Sequence, residues 1–353
     1  MERPIRGRGA SANPPNRFET LSYLPDPAER DPDDPGPRTC LLRDPSRRII
    51  ARNDSPDVGF DASINPYRGC EHGCIYCYAR PFHEYLGFSA GLDFETQILV
   101  KEDAPELLRA ELSSPRWEPQ AIALSGVTDP YQPAERRLRI TRRCLEVLAE
   151  FRNPVVIVTK NHLVTRDIDL LADLARDHAA HVNISLTTLD DELRRRMEPR
   201  ASTPARRLAA IEALAGAGIP VRVMVAPVIP GLNDTEVPAL VAAAAAAGAR
   251  AATWIPVRLP HAVADLFDAW LDQHYPERKK KVLNRIRGVR EGKLNDSRFG
   301  HRMRGSGPFA QQIGALFDVA CRRAGIGRDL PPLSTASFRR PGAVRQLGLF
   351  DQA

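Results

Sequence analysis

The sequence predicts an α/β protein: a partial (βα)6 parallel barrel followed by a small, mainly helical and basic C-terminal appendage. Three observations carry this expectation. From about residue 60 to residue 258, short β-branched runs alternate with amphipathic stretches, the pattern of βα units in a parallel sheet. After about residue 260 the alternation stops, and Arg278–Arg304 holds eleven Lys or Arg against two acidic residues. A chain of 353 residues with 43% hydrophobic content can bury one large core of barrel size plus a smaller unit.

Residues 1–58 carry ten prolines and mixed charges, as in Asp31-Pro32-Asp33-Asp34-Pro35-Gly36-Pro37. Such a segment buries too little to offset its ordering entropy, so it is expected to be largely disordered or draped on the surface. Residues 59–258 form the expected barrel. Its strands are read at Ile64–Arg68, Ala121–Ser125, Val155–Thr159, Val182–Leu186, Val221–Val225 and Ala251–Ile255. Between them the expected helices are Ala104–Leu112, Ala134–Phe151, Asp167–His178, Pro204–Ala215 and Glu236–Ala247. Thr203-Pro204 and Asp234-Thr235 offer a capping side chain or a first-turn proline where helix-start amides lack partners. The run Ala242–Ala247 reads as ordinary helix interior, since alanine has the highest helix propensity. Residues 259–353 form the basic extension, in which a helix Phe309–Ala324 packs onto the barrel and Pro331 onward is a tail.

Bulk properties narrow the function classes. No stretch approaches the roughly 18 apolar residues of a membrane span, and Met1-Glu2-Arg3-Pro4 lacks an apolar leader run, so a cytoplasmic location is expected. Three of the six cysteines crowd into eight residues while Cys40, Cys144 and Cys321 are scattered, unlike a secreted disulfide framework. The formal charge of +6 suits an acidic partner, although a bias of 44 Arg against 6 Lys also follows from GC-rich codons. Lys279-Lys280-Lys281, with Phe299, His301 and several glycines nearby, offers a surface for a phosphate chain. A solvated charged helix explains the same run equally well.

In parallel βα architectures ligands gather at the carboxyl ends of the strands. The segment after the first strand is Gly69-Cys70-Glu71-His72-Gly73-Cys74-Ile75-Tyr76-Cys77-Tyr78. Three readings of Cys70, Cys74 and Cys77 compete. A structural zinc site needs four ligands, and neither His72 nor His83 falls in knuckle spacing; His72, between two cysteines, is expected to face solvent. A merely structural cysteine cluster is the second reading. The third is an iron-sulfur cluster with three thiolates and one iron left open.

The spacing of three residues and then two, with Tyr76 before the last cysteine, resembles the signature of the radical S-adenosylmethionine (SAM) superfamily, and the six βα units are similar to its partial barrel. Asn65-Pro66-Tyr67-Arg68-Gly69-Cys70 and Gly126-Val127-Thr128-Asp129-Pro130-Tyr131 resemble a branch of uncharacterised proteins related to spore photoproduct lyase. The resemblance implies that Cys70, Cys74 and Cys77 hold a [4Fe-4S] cluster and that SAM chelates the fourth iron. Reductive cleavage of SAM then gives a 5′-deoxyadenosyl radical that abstracts hydrogen from a substrate.

By position, the resemblance also implies SAM contacts at Gly126, Thr128 and Asp129 for the amino group, at Ser185 (or Thr187 or Thr188) for the ribose, and at Val228 within Val225–Pro230 for the adenine, with Tyr76 stacked nearby. A plain turn and buried strand residues are the alternative readings of these positions. Trp254 is either a pocket or a core residue, and Lys160 and Arg258 are expected at the barrel mouth facing an anionic group. No catalytic residue is identified. Ser125-Gly126-Val127-Thr128 stands where spore photoproduct lyase places a hydrogen-donating cysteine, so the resemblance does not extend to lyase activity itself. The expected function is a radical SAM enzyme acting on nucleic acid, with flavodoxin or ferredoxin as electron donor and no membrane partner. The alternatives are the same chemistry on a peptide or small molecule, or a metal-containing nucleic-acid-binding module without catalysis.

Overall fold

The fold was analysed in a computed structural model, which describes residues 5–19 and 37–341. In chain order the first half comprises β1 (Cys40–Arg43), β2 (Ile50–Arg52), β3 (Ala62–Ile64), β4 (Tyr67–Arg68), α1 (Leu92–Thr96), β5 (Gln97–Val100), α2 (Ala104–Ser113), β6 (Ile122–Leu124), α3 (Glu135–Leu138), α4 (Ile140–Phe151) and β7 (Val155–Thr159). The second half comprises α5 (Ile168–Arg176), β8 (Ala180–Ser185), α6 (Asp191–Met197), α7 (Pro204–Gly216), β9 (Val221–Val228), α8 (Val237–Ala246), β10 (Ala251–Pro256), α9 (Ala262–His274), α10 (Pro276–Gly288) and α11 (Gly307–Ala324).

Six strands pair in parallel in the order β3-β6-β7-β8-β9-β10, and β2 adds antiparallel to β3. The ends β2 and β10 do not meet, so the sheet is a partial barrel. Val155, Ile157, Val182, Val221 and Val223 are fully or almost fully buried, each stabilising by about 1.5–3 kcal/mol. They pack against α4, α5, α7 and α8 in one apolar core, leaving the other face of the sheet for the site. Among the described residues no helix is long and apolar enough to cross a membrane.

Three local expectations are corrected and a fourth is met. The first strand is not continuous from Ile64 to Arg68: β3 ends at Asn65-Pro66, and β4 joins β5 in a separate sheet with β1. Pro66 has no N–H to continue a ladder. The helix expected over Ala134–Phe151 is split by Arg139, whose φ of 54° lies in the left-handed region and breaks the helical hydrogen-bond run. Asp234 does not cap α8 but accepts a hydrogen bond from the Gly231 N–H at 2.9 Å. Thr203 does cap α7, accepting from the Arg206 N–H at 3.3 Å.

The terminal segments also differ. Of the segment expected to be loose, residues 1–4 and 20–36 lie outside the described residues, but 37–58 supply β1 and β2, and 5–19 pack over the cysteine loop. Glu95, fully buried, accepts from the Gly9 N–H at 3.0 Å, the Ala10 N–H at 2.9 Å and Arg80 at 2.5 Å. Polar bonds to backbone replace the apolar burial that this arm lacks. At the other end Ile313, Phe317, Ala320 and Cys321 of α11 belong to the main barrel core, and Ala252 N–H donates to the Gly327 carbonyl at 2.9 Å. The alanine-rich surface of α8 is what lets α11 approach. Helices α9 and α10 form a second core with Ile75 and Tyr76 of the cysteine loop, so they clamp the site. The tail from Pro331 is docked to residue 341, with Phe338 on Phe151 at 6.3 Å, and residues 342–353 lie outside the described residues.

The basic run Arg278–Arg304 is partly architectural. Lys279 sits between Asp268 and Asp272 at 2.7 and 2.5 Å. Arg290, buried, donates to the Pro256 and Val257 carbonyls. Arg298 pairs with Glu291 and Asp296, and Arg302 with Asp57. Arg278, Lys280, Lys281, Arg287, Lys293 and Arg304 face solvent.

Candidate active site at the carboxyl ends of the strands

The cysteine loop is fixed by bonds from every side. Cys70 N–H donates to Phe94 O at 2.8 Å and Ile75 N–H to Met197 O at 3.0 Å. The Gln132 amide takes the Glu71 N–H and gives to Gly69 O. Arg80, fully buried, donates to the carbonyls of Cys74, Ala90 and Gly91 and is neutralised by Glu95. Gly73 has φ +67°, and a Cβ there would lie 2.8 Å from Glu95 Oε2, so the loop can approach this carboxylate only with glycine.

Cys70, Cys74 and Cys77 line one cavity of about 310 Å³. Burial pushes all three thiols above their ordinary pKa, so a bound cation is what would hold them as thiolates. Zinc at bonds of about 2.3 Å draws its sulfurs to within roughly 4 Å of one another. Among the described residues the only three metal-ligating groups within 4.8 Å of one another are Glu291, Asp296 and His301, and Arg298 already neutralises the two acids. At least one pair of the three sulfurs is therefore more than 4.8 Å apart, a spacing that suits a cluster with each thiolate on its own iron better than a single ion. His83 supplies no fourth ligand, since its ring lies between Phe88 and Phe94 at 5.2 and 5.6 Å. His72 corrects its expectation: rather than facing solvent it is buried in the cavity wall, with Nδ1 3.3 Å from Asp129 Oδ2.

Across the cavity from this loop, the turn after β6 is organised by Asn65, whose side-chain oxygen accepts from the N–H groups of Gly126, Val127 and Thr128 at 2.9, 2.9 and 3.4 Å. Gly126, Thr128, Asp129, Ser185 and Tyr76 all line the cavity. Thr128 donates its hydroxyl to Tyr67 O at 2.8 Å. Asp129 is already committed: Oδ1 accepts from Tyr131 N–H and Thr159 Oγ1, and Oδ2 from Lys160 N–H, beside His72. Burial opposes its ionisation, yet His72 and these donors hold its carboxyl below the ordinary range. Its geometry is that of a positioning residue. Val228 is fully buried and does not line the cavity; Ala226 and Pro227 do. The β9–β10 pairing shifts register between Trp254 and Pro256, so this segment does not keep one face toward the cavity. Trp254 packs toward α11, where a Cβ on Gly314 would meet it at 3.5 Å.

The floor holds a charge network that the sequence reading missed. Glu198, fully buried, accepts from Tyr76 Oη and Arg207, from Thr187 Oγ1 at 2.7 Å, and pairs with Lys160 Nζ at 3.1 Å. Lys160 also donates to Ser185 Oγ, Thr187 Oγ1 and Ala226 O at 3.0, 3.0 and 3.1 Å. It is thus turned inward and paired, not presented to an anion at the mouth. Burial alone would raise the Glu198 pKa, but Arg207 and Lys160 hold it well below the carboxylate range, while burial and Glu198 push the Tyr76 phenol up. Thr188 points away to Glu236 at 2.7 Å. No local pattern marks Glu198 or Arg207, a Glu before proline being the only hint, and Asn65 stood only as the first residue of the Asn65–Cys70 segment, with no role assigned. Arg258 does stand at the mouth, its guanidinium 4.4 Å over the Tyr78 ring, and Tyr78 Oη donates to Gly126 O at 3.0 Å.

Comparison with known proteins agrees with the fold and gives the family. Uncharacterised proteins of Mycobacterium tuberculosis and Mycobacterium bovis are 42% identical over 220 residues, covering 62% of this chain and 65% of theirs, so the chain spans just under two thirds of their length. A Pseudomonas phage M6 protein named radical SAM Nalpha-GlyT isomerase is 30% identical over 169 residues, 47% of this chain and 33% of that one. A solved structure of spore photoproduct lyase complexed with dinucleoside spore photoproduct is similar in fold, with TM-score 0.58 and 18% identity, over 82% of this chain and 81% of that one. The sequence model of the radical SAM superfamily matches residues 64–244, just over half of the chain, and the protein belongs to that superfamily.

Proposed function

We propose that Cys70, Cys74 and Cys77 hold a [4Fe-4S] cluster beside a SAM site in the 310 Å³ cavity, and that hydrogen is abstracted from a substrate entering from the Arg258 side. When bound, the cluster and SAM supply the one-electron cleavage that yields the abstracting 5′-deoxyadenosyl radical. One observation carries the reading: two buried thiols, a half-buried third and a polar strand-end set share a single cavity.

The chain's own residues would bind and orient. Asn65 fixes the Gly126–Thr128 backbone where it can meet the SAM amino group, and Asp129 holds His72 and the Lys160 backbone in place. Ser185 offers its hydroxyl to the ribose, and Lys160, paired with Glu198, holds Ser185 and Thr187 in place. Val158, Met224, Pro227 and Ile255 line the rest and exclude water. Nucleic acid is the substrate class we favour, supported by the solvent-facing Arg278, Lys280, Lys281 and Arg287; a flavodoxin or ferredoxin supplies the electron. Ser125 at the end of β6 supports an outcome other than thymine-dimer reversal. Anaerobic reconstitution followed by dithionite and SAM tests this: about four irons per chain and release of 5′-deoxyadenosine are expected, and stoichiometric zinc with SAM left intact would refute it.

A further inference from the structure

Outside the inner cavity lies a wider groove of about 540 Å³, and the two share Tyr78, Gly126, Val127, Arg258 and Arg302 as walls. Its lining contains Arg17, Arg52, Arg258, Arg302 and His261 and, among the described residues, no carboxylate. Two of these arginines are already paired, Arg17 with Glu84 at 2.7 Å and Arg302 with Asp57 at 2.5 Å. Arg52 and Arg258 are different. Among the described residues neither side chain has an ion-paired or hydrogen-bonded partner, and each instead lies over a ring, Trp117 at 5.3 Å and Tyr78 at 4.4 Å. Arg258 is partly buried, and the loss of solvent lowers its pKa, so its charge gains from an anion that enters.

The same groove exposes aromatic faces. Tyr78 is 41% exposed, Phe82 50% and Tyr85 69%, and Phe18 of the N-terminal arm stacks on Tyr85 at 4.8 Å. Between them stand uncharged amides such as Asn53 and Asn295. A groove whose described lining holds no carboxylate complements a polyanion, and exposed aromatic rings beside arginines suit unpaired bases, because a base still in a duplex has no face to offer.

We infer that this groove binds a single-stranded nucleic acid, with a backbone phosphate on Arg258, neighbouring bases stacked on Phe82 and Tyr85, and one nucleotide passing the shared wall into the inner cavity. This rests on the proposed function, since the inner cavity is where that nucleotide would react. Bases on the exposed rim carry stacking, Arg52 takes a second phosphate, and the partners across the shared wall decide which atom faces the radical source.

The test is fluorescence anisotropy with the full-length, anaerobically reconstituted protein. Three labelled probes are compared: a single-stranded oligonucleotide of roughly 12 nucleotides, the same sequence as a duplex, and an oligoglutamate peptide. The single strand is expected to bind at least about tenfold more tightly than the other two. Tyr85→Ala should weaken it by about tenfold or more, from the loss of one stacked base. Arg52→Ala and Arg258→Gln should each weaken it and lower the slope of log affinity against log salt by about 0.7. Arg52 is exposed, so its variant folds even if Arg258→Gln does not. Equal binding of duplex and single strand, preference for the peptide, or unchanged affinity in Tyr85→Ala and Arg52→Ala would overturn the inference. Protein that releases 5′-deoxyadenosine but does not bind the strand refutes the groove alone. Protein that binds the strand as expected but leaves SAM intact refutes the radical SAM reading while the groove stands.

Discussion

Glu198→Gln removes one negative charge from the floor of the site without changing its volume. In the wild type that charge faces two cations, Arg207 with its side chain 1% exposed and Lys160 with Nζ at 3.1 Å and 14% exposed. At an effective dielectric constant of about 20, the attraction at the Lys160 distance alone is about 5 kcal/mol. Desolvation offsets much of it, and breaking a buried pair by deleting one partner costs about 3–5 kcal/mol, because the other charge is left uncompensated. The expected loss is therefore about 3–5 kcal/mol, read from anaerobic urea denaturation of the metal-free protein by tryptophan fluorescence. The double variant Glu198→Gln/Arg207→Met removes a cation together with the anion and should recover part of that loss, a coupling that a double-mutant cycle reports. The pH dependence has a definite sign. The folded carboxyl is held below its ordinary value of 4.5, so its contribution is full above that pH and is lost as the solution becomes more acidic; the variant should lack this acid limb. A Glu198→Gln protein within about 1 kcal/mol of wild type, or a double variant that is less stable than the single one, would refute the argument.

Other perturbations separate the parts of the site. His83 is 1% exposed and burial lowers its pKa from 6.5 to about 4. The unfolded chain therefore takes up the proton first, and stability present above about pH 6.5 is lost as pH falls toward 4. Between pH 7 and 5 the wild type should lose about 2 kcal/mol more than His83→Leu in paired urea titrations; parallel curves would contradict this. Asn65→Ala leaves the Gly126, Val127 and Thr128 amides without their acceptor, which should cost about 1–3 kcal/mol and weaken SAM binding by several-fold in equilibrium dialysis, while wild-type SAM affinity would count against the turn as a SAM contact. Gly9→Ala would put a Cβ 1.8 Å from the Gly73 carbonyl oxygen, forcing the arm off the cysteine loop. Trypsin should then cleave after Arg8 and Arg17 several-fold faster than in wild type, and an unchanged digestion rate would show that the arm does not depend on this contact.

Five of the six strand cores and the five intervening helices, one of them split, were legible in the chain because their signals are local. Val155–Thr159 matched its expected bounds, and Thr203-Pro204 marked the start of α7. The errors fell where a distant partner decides. Asn65 ends β3 because its side chain is drawn to three amides about sixty residues away. Lys160 points inward because Glu198, on another element, attracts it. The arm at residues 5–19 looked unable to fold because its composition lacks apolar residues, whereas Glu95 supplies acceptors that composition does not reveal.

What the amino-acid order determined by itself was the spacing of Cys70, Cys74 and Cys77, the period of the strands and helices, and with them the superfamily and the end of the sheet at which the cysteine loop sits. These follow from contacts within a few residues, where sequence separation and spatial separation are nearly the same. Only the tertiary structure decided that Glu198 and Arg207 form the floor, that α11 belongs to the barrel core, and that Arg52, Arg258 and Tyr85 share one groove whose described lining holds no carboxylate. Glu198 and Arg207 are nine residues apart, but Glu198 meets Tyr76 across 122, and burial, charge pairing and close packing act on distance in space rather than on position along the chain.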